Sequence, residues 1–206
     1  MSFLILGFLT GLSLILALGA QNIFVIEQGL KRNYIFMVCL ICSVSDMILI
    51  FSGIFLFEYF KIYFTHNVEL IFNILLFIFL IYFIFNKVLS LYKKSNVVFR
   101  EDNLNLRNTV IKTLGFTYLN PHVYSDTVFF LGNFSKSFLL YDKIIFGIGA
   151  SIASTVFFFS IGYASNYFSK YLNNKKIWNI INWIIIFIMS IITLYVIREI
   201  IYSINL

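Results

Sequence analysis

The sequence predicts an all-α integral membrane protein, with six transmembrane helices arranged as two inverted three-helix repeats. Three observations carry this expectation. The 206 residues are 61% apolar, 20% aromatic and only 12% charged, whereas about a quarter of an ordinary soluble domain is charged. The apolar residues gather in six runs, 3–26, 34–60, 68–92, 108–133, 141–169 and 177–203, each reaching the about 20 residues that a spanning helix needs. A polar interruption falls in the first run and again, 100 residues later, in the fourth. The chain therefore reads as one transmembrane domain, 1–206: repeat one (1–92), a solvated cytoplasmic hinge loop (93–107) and repeat two (108–206).

The first run holds ALGAQNIFVIEQGLKR at 17–32. It lacks a positively charged leader and is too long for the apolar core of a signal peptide, so it is expected to be retained as a span. A membrane helix hides an amide only against protein or water. Gln21 and Asn22 thus bind an amino or carboxylate group or bond to another helix, and the stretch alone favours neither. Glu27, close to Lys31 and Arg32, reads as a charge at the cytoplasmic edge. Gly7 and Gly11 form a GxxxG pair, a device for close helix approach within the fold or between subunits, which leaves a homodimer open.

In the second run Asp46 lies twelve residues deep, and Cys39, Cys42, Asp46 and Gly53 recur at spacings of 3, 4 and 7. That periodicity places them on one helix stripe. A lone carboxylate at such depth is costly unless it faces a polar cavity or a partner, which marks it as functional; the alternative is a structural hydrogen bond to a neighbouring helix. The two cysteines, with no second Cys or His pair nearby, read as small packing residues and not as a metal site. After the third run, the hinge carries Lys93, Lys94, Arg100, Glu101, Asp102 and Arg107.

The fourth run contains YLNPHVYSDTVFF, with the sole proline of the chain and a second deep carboxylate, Asp126. Pro121 removes a backbone hydrogen bond and frees the carbonyl of Thr117. The result is either a broken helix with polar backbone beside Asn120 and His122, or a simple packing kink. His122 reads equally as a proton relay or as a neutral partner of the broken backbone. In the fifth run Gly147, Ser151, Ser154, Gly162 and Ser165 share one face, a packing signal. The aromatic excess, Trp178 and Trp183 included, reads as lipid-facing bulk and interface anchoring.

Lys and Arg exceed Asp and Glu by 15 to 9, but the cations cluster between apolar runs and so set topology instead of binding nucleic acid. Lys31, Arg32, Lys93, Lys94, Arg100, Arg107, Lys170, Lys175 and Lys176 fall on one side, against Lys61, Lys136, Lys143 and Arg198 on the other. This bias puts the first set in the cytoplasm and both termini outside. Asp46 then lies nearer the inner face and Asp126 nearer the outer, so a crossing solute meets two carboxylates in turn. Carboxylates attract cations and exchange protons when buried, so the expected cargo is a cation moving against a proton. The sequence shows no cofactor or metal motif. A passive cation channel would also want acids in a polar route, whereas a membrane hydrolase finds no nucleophile beside His122.

GAQNIFVIEQGLKR, SDMILIFSGIF and YLNPHVYSDTVFFLG, in this order and spacing and followed by the small-residue fifth run, resemble the lysine/arginine exporter family (LysE type), and most nearly its arginine-exporting branch. The resemblance covers the whole chain. It implies a bacterial inner-membrane exporter of L-arginine or L-lysine driven by an ion gradient, with the family's paired aspartates at Asp46 and Asp126 and its NPH motif at Asn120, Pro121 and His122. Relatives commonly carry proline where this chain has Ala20, and Tyr118 replaces a more usual Trp. A straighter first helix is therefore expected here, interrupted only by Gly19 and the amides.

Overall fold

The computed structural model describes residues 2–16, 19–63, 65–92, 105–169 and 175–204, and every regular element in it is a helix. The hinge predicted at 93–107 lies outside the described residues up to 104.

The first apolar run is two helices, α1 (Phe3–Ile15) and α2 (Ala20–Lys31), meeting at 84°. This corrects the expectation of a straighter first helix. No proline is needed because Gly19 is extended (φ −105°, ψ 175°) and Asn22 Nδ2 donates to the Ile15 carbonyl at 2.9 Å. That bond takes up one of the carbonyls that the end of α1 leaves without a helical partner. At its other end α2 stops in a Schellman motif: Asn33 N donates to Gln28 O and Arg32 N to Gly29 O, both at 3.0 Å. Arg32 sits in the left-handed region (φ 55°), where a side chain costs about 1 kcal/mol; its Nε donates to Ser169 Oγ at 2.7 Å.

The second and third runs form α3 (Ile35–Tyr63) and α4 (His66–Tyr92). The fourth run breaks as well. α5 (Leu106–Tyr118) ends before Asn120, and a new helix starts at Pro121: α6 (Pro121–Tyr124), a π-helical turn (Ser125–Phe130) and α7 (Leu131–Ser135). Pro121 is thus the first residue of a helix, where its missing N–H is harmless. The single freed carbonyl expected at Thr117 is replaced by a complete break. α8 (Leu140–Ser169) and α9 (Lys175–Ile204) complete the chain.

Among the described residues, Ile35–Phe57, Leu70–Leu89, Leu140–Ser169 and Asn179–Tyr202 are long and apolar enough to cross a bilayer. The bent α1–α2 pair brings the crossings to five if it counts as one. The run predicted as a span at 108–133 is divided at Leu119–Asn120 and supplies no single spanning helix, so four clear spans stand where six were expected.

The helices pack in a crossed pattern. α1 and α2 lie against α8, while α5, the π-helical turn and α7 lie against α3; α3 pairs with α8, and α4 with α9. The GxxxG pair is used inside the chain: a Cβ on Gly7 would strike the Phe146 carbonyl, and one on Gly11 would lie 2.9 Å from the Ala150 Cα. Gly53 admits the π-helical turn in the same way, with Val128 Cα 2.5 Å and Thr127 O 2.7 Å from where its Cβ would stand. Cys39 and Cys42 are fully buried and unbridged, and Cys39 Sγ donates to Phe158 O. Part of the aromatic excess is core and not lipid-facing: Phe116, fully buried, is ringed by Phe24, Phe79 and Phe83 at 4.7–5.0 Å. Trp183, by contrast, is half exposed at the surface of the bundle.

Gly53→Val should overpack the α3 contact with the π-helical turn by about 1–3 kcal/mol. A lower thermal unfolding midpoint of the purified protein in detergent is expected; an unchanged midpoint would refute the close approach.

Candidate functional site

The two breaks meet. Asn120 Nδ2 lies 3.8 Å from where a Cβ on Gly19 would stand, and the space between the broken helices opens into a cavity of about 510 Å³, within the usual range for small-molecule sites. Gln21, Asn22, Asp46, Asn120 and Asp126 all line it. Of the residues singled out from sequence, the structure therefore brings five together around one space. The side chains of Pro121 and His122 lie outside the described residues; their backbone forms the start of α6.

Each carboxylate is placed by a different device. Asp46 reaches the cavity from the middle of α3 and is 3% exposed. Ser154 Oγ on α8 donates to its Oδ2 at 2.8 Å. That bond is unusual here, because Ser43, Thr113, Thr117, Ser151 and Thr193 spend their hydroxyls on carbonyls of their own helices four residues back. Asp126 sits in the π-helical turn; such wide turns occur mostly as single insertions within α-helices, often at functional sites. The two acids line one cavity, where the sequence suggested successive stations.

The breaks are satisfied alike. Asn22 Nδ2 donates to Ile15 O, on the last residue of α1, and Tyr124 Oη donates to Tyr118 O, on the last residue of α5, both at 2.9 Å. A side chain just past each break thus caps the arm before it. Thr127 and Tyr195, which also line the cavity, were not singled out. Neither carries a sequence signal that distinguishes it from other hydroxyl residues in apolar runs.

A second polar cluster lies at one end of the bundle, where the last turns of α2, α4 and α8 meet the start of α5. Glu27 is 2% exposed and not the edge charge expected. Its Oε1 takes Lys87 Nζ at 2.5 Å and Lys31 Nζ at 2.6 Å, while its Oε2 has no hydrogen-bond partner among the described residues. Lys87, itself buried, stands over the Phe83 ring at 5.7 Å. Beside them Asn33 Nδ2 donates to Gln28 Oε1 and Thr109 Oγ1. Lys87 lies inside the third apolar run and so had no place in a count of loop cations. The rule that a buried intramembrane charge seeks an opposite one was the available signal.

Membrane-length helices around a solute-sized, largely apolar cavity that carries two carboxylates and three side-chain amides define a multi-pass membrane protein built to accommodate a small solute. The chain belongs to the LysE type translocator family, whose model matches residues 12–200, and membership sets it among translocators and apart from enzymes. It is 32% identical over 203 residues to the arginine exporter protein ArgO of Pectobacterium carotovorum subsp. carotovorum (strain PC1), covering 94% of this chain and 95% of that protein. The ArgO of Salmonella newport (strain SL254) is 32% identical, with 94% and 92% covered. The lysine exporter LysE of Corynebacterium diphtheriae (strain ATCC 700971 / NCTC 13129 / Biotype gravis) is 30% identical, with 93% and 96% covered. No solved structure matches the chain.

The buried ion pair predicts an asymmetric pair of variants. Lys87→Met strands Glu27 with only the half-exposed Lys31 and should cost about 3 kcal/mol. Glu27→Gln combined with Lys87→Met removes both charges and should regain most of that. Thermal midpoints in detergent test this; a double variant as unstable as the single would overturn it.

Proposed function

We propose that this protein is a secondary transporter of the bacterial inner membrane that exports L-arginine or L-lysine by alternating access. The observation that carries the reading is the pair of carboxylates, Asp46 and Asp126, lining one cavity at the junction of two helix breaks. Relatives named as arginine and lysine exporters align with nearly the whole chain, which supports the cargo. A substrate with a cationic side chain and a cationic amino group offers both carboxylates a partner, and the burial of Asp46 excludes the water that would otherwise weaken its pairing.

The crossed packing supports two inverted repeats of three segments, α1–α2, α3 and α4 against α5–α7, α8 and α9. Each broken segment lies on the second helix of the opposite half, and second and third helices pair with their counterparts. In this reading the two broken segments form the site, and rocking one half against the other exposes it to either side. Export runs on a proton or ion gradient, with Asp46 or Asp126 exchanging the substrate's cation for the coupling ion. The end that gathers Lys31 and Arg32 faces the cytoplasm, in line with the cation bias. Asn22 and Asn120 brace the breaks, with Pro121 fixing the second and His122 beside it.

Cells loaded with an arginine-containing dipeptide should expel arginine, and Asp46→Asn or Asp126→Asn should each slow that efflux by about tenfold or more, since losing one partner of a buried charge pair costs at least that. Wild-type efflux in both variants would end the carboxylate mechanism. Counterflow of labelled arginine in proteoliposomes separates a carrier from a passive cation channel, which would show none.

A further inference from the structure

Resting on the reading of the cavity as an amino-acid site, we infer that the amino terminus of α2 and the side-chain amide of Gln21 form its carboxylate subsite. α2 runs for twelve residues, and its N-cap is Gly19, so no side chain caps it. The first helical bond at this end is Ile23 N to Gly19 O at 3.2 Å, so the N–H groups of Ala20 and Gln21 precede the helical ladder and have no acceptor within it. Gly19, Ala20, Gln21 and Asn22 all line the cavity. A helix start of this length presents about half a positive charge.

Gln21 adds an independent observation. It is 5% exposed, it lines the cavity, and its Nε2 has no hydrogen-bond partner among the described residues. The Cys42 thiol beside it is a weak acceptor. The neighbouring amide of Asn22 is already committed to Ile15 O. A buried amide donor without a partner, on a residue that lines a cavity, is stabilised when an anionic acceptor arriving there comes within its reach. At the second break the helix begins with Pro121, which has no N–H to offer, and the N–H of Val123 is already taken by Asn120 O at 3.2 Å.

The charges then match the cargo group for group. A basic amino acid carries two cations and one anion; the cavity holds two carboxylates, on α3 and on the π-helical turn, and one uncapped helix start. With the carboxylate held at α2, the ammonium and the side-chain cation are left to Asp46 and Asp126. The site therefore selects amino acids over the amines that lack only the carboxylate.

The test compares acid and amine pairs on the purified full chain in nanodiscs: L-arginine with agmatine, and L-leucine with isoamylamine, each titrated by calorimetry. Arginine should bind at least about tenfold more tightly than agmatine, the loss expected when charge-assisted hydrogen bonds go unmade. Gln21→Met should weaken arginine by about tenfold while leaving agmatine unchanged, and Gln21→Glu should weaken arginine further. Agmatine binding as well as arginine overturns the subsite, and so does an arginine preference that Gln21→Met leaves intact. If arginine and agmatine bind equally but both weaken in Asp46→Asn, the basic-substrate reading stands and only the subsite falls. If leucine binds as tightly as arginine and both exceed their amines, the subsite stands and the basic-substrate reading falls.

Discussion

A helix interrupted inside a bilayer leaves backbone N–H and C=O groups that no water can reach, and much of this molecule answers that constraint. At each break one side chain turns back to the carbonyl at the end of the preceding arm, Asn22 to Ile15 and Tyr124 to Tyr118. The two interruptions face each other across Gly19 and Asn120, so the remaining polar backbone is pooled in one cavity instead of being exposed to lipid twice. Glycines at Gly7, Gly11 and Gly53 let the long helices α3 and α8 close tightly on the broken segments. Ser43, Thr113, Thr117, Ser151 and Thr193 donate their hydroxyls within their own helices, which satisfies them without a further partner.

Charge is divided between two places with different chemistry. At the end of the bundle, Glu27 is matched by lysines and its role is exhausted by holding α2 to α4. In the cavity, Asp46 receives a neutral hydroxyl from Ser154, which orients a carboxylate without neutralising it. A buried pair with its counter-ion in place is structural; a buried acid supported only by hydroxyls has charge left for a visitor. Residue type and depth alone do not separate the two cases, since all are acids in apolar runs.

Much of the fold was legible from periodicity and composition. The runs expected at 34–60, 141–169 and 177–203 became α3, α8 and α9 with ends moved by at most three residues, because helix length in a bilayer is set by its thickness. Both interruptions were visible as polar residues in apolar runs, and five of the seven site candidates share the cavity. The sharpness of the first break was not legible: Asn22 reaches a carbonyl seven residues back, and one side chain carries no mark of such a bond. The π-helical turn was hidden because it depends on Gly53 making room from another helix. Lys87 escaped because its partner stands sixty residues away in sequence, on an element that local patterning treats separately.

The two breaks also differ in what enforces them. At the second, the ring of Pro121 removes a backbone N–H and crowds the preceding turn, so a continuous helix there costs about 3 kcal/mol whatever its surroundings. At the first, Ala20 has an ordinary backbone N–H and nothing covalent opposes helical geometry; the bend exists only while side-chain bonds and packing outweigh annealing. The two joints therefore differ in reversibility: contacts alone hold the first, while a covalent constraint also holds the second.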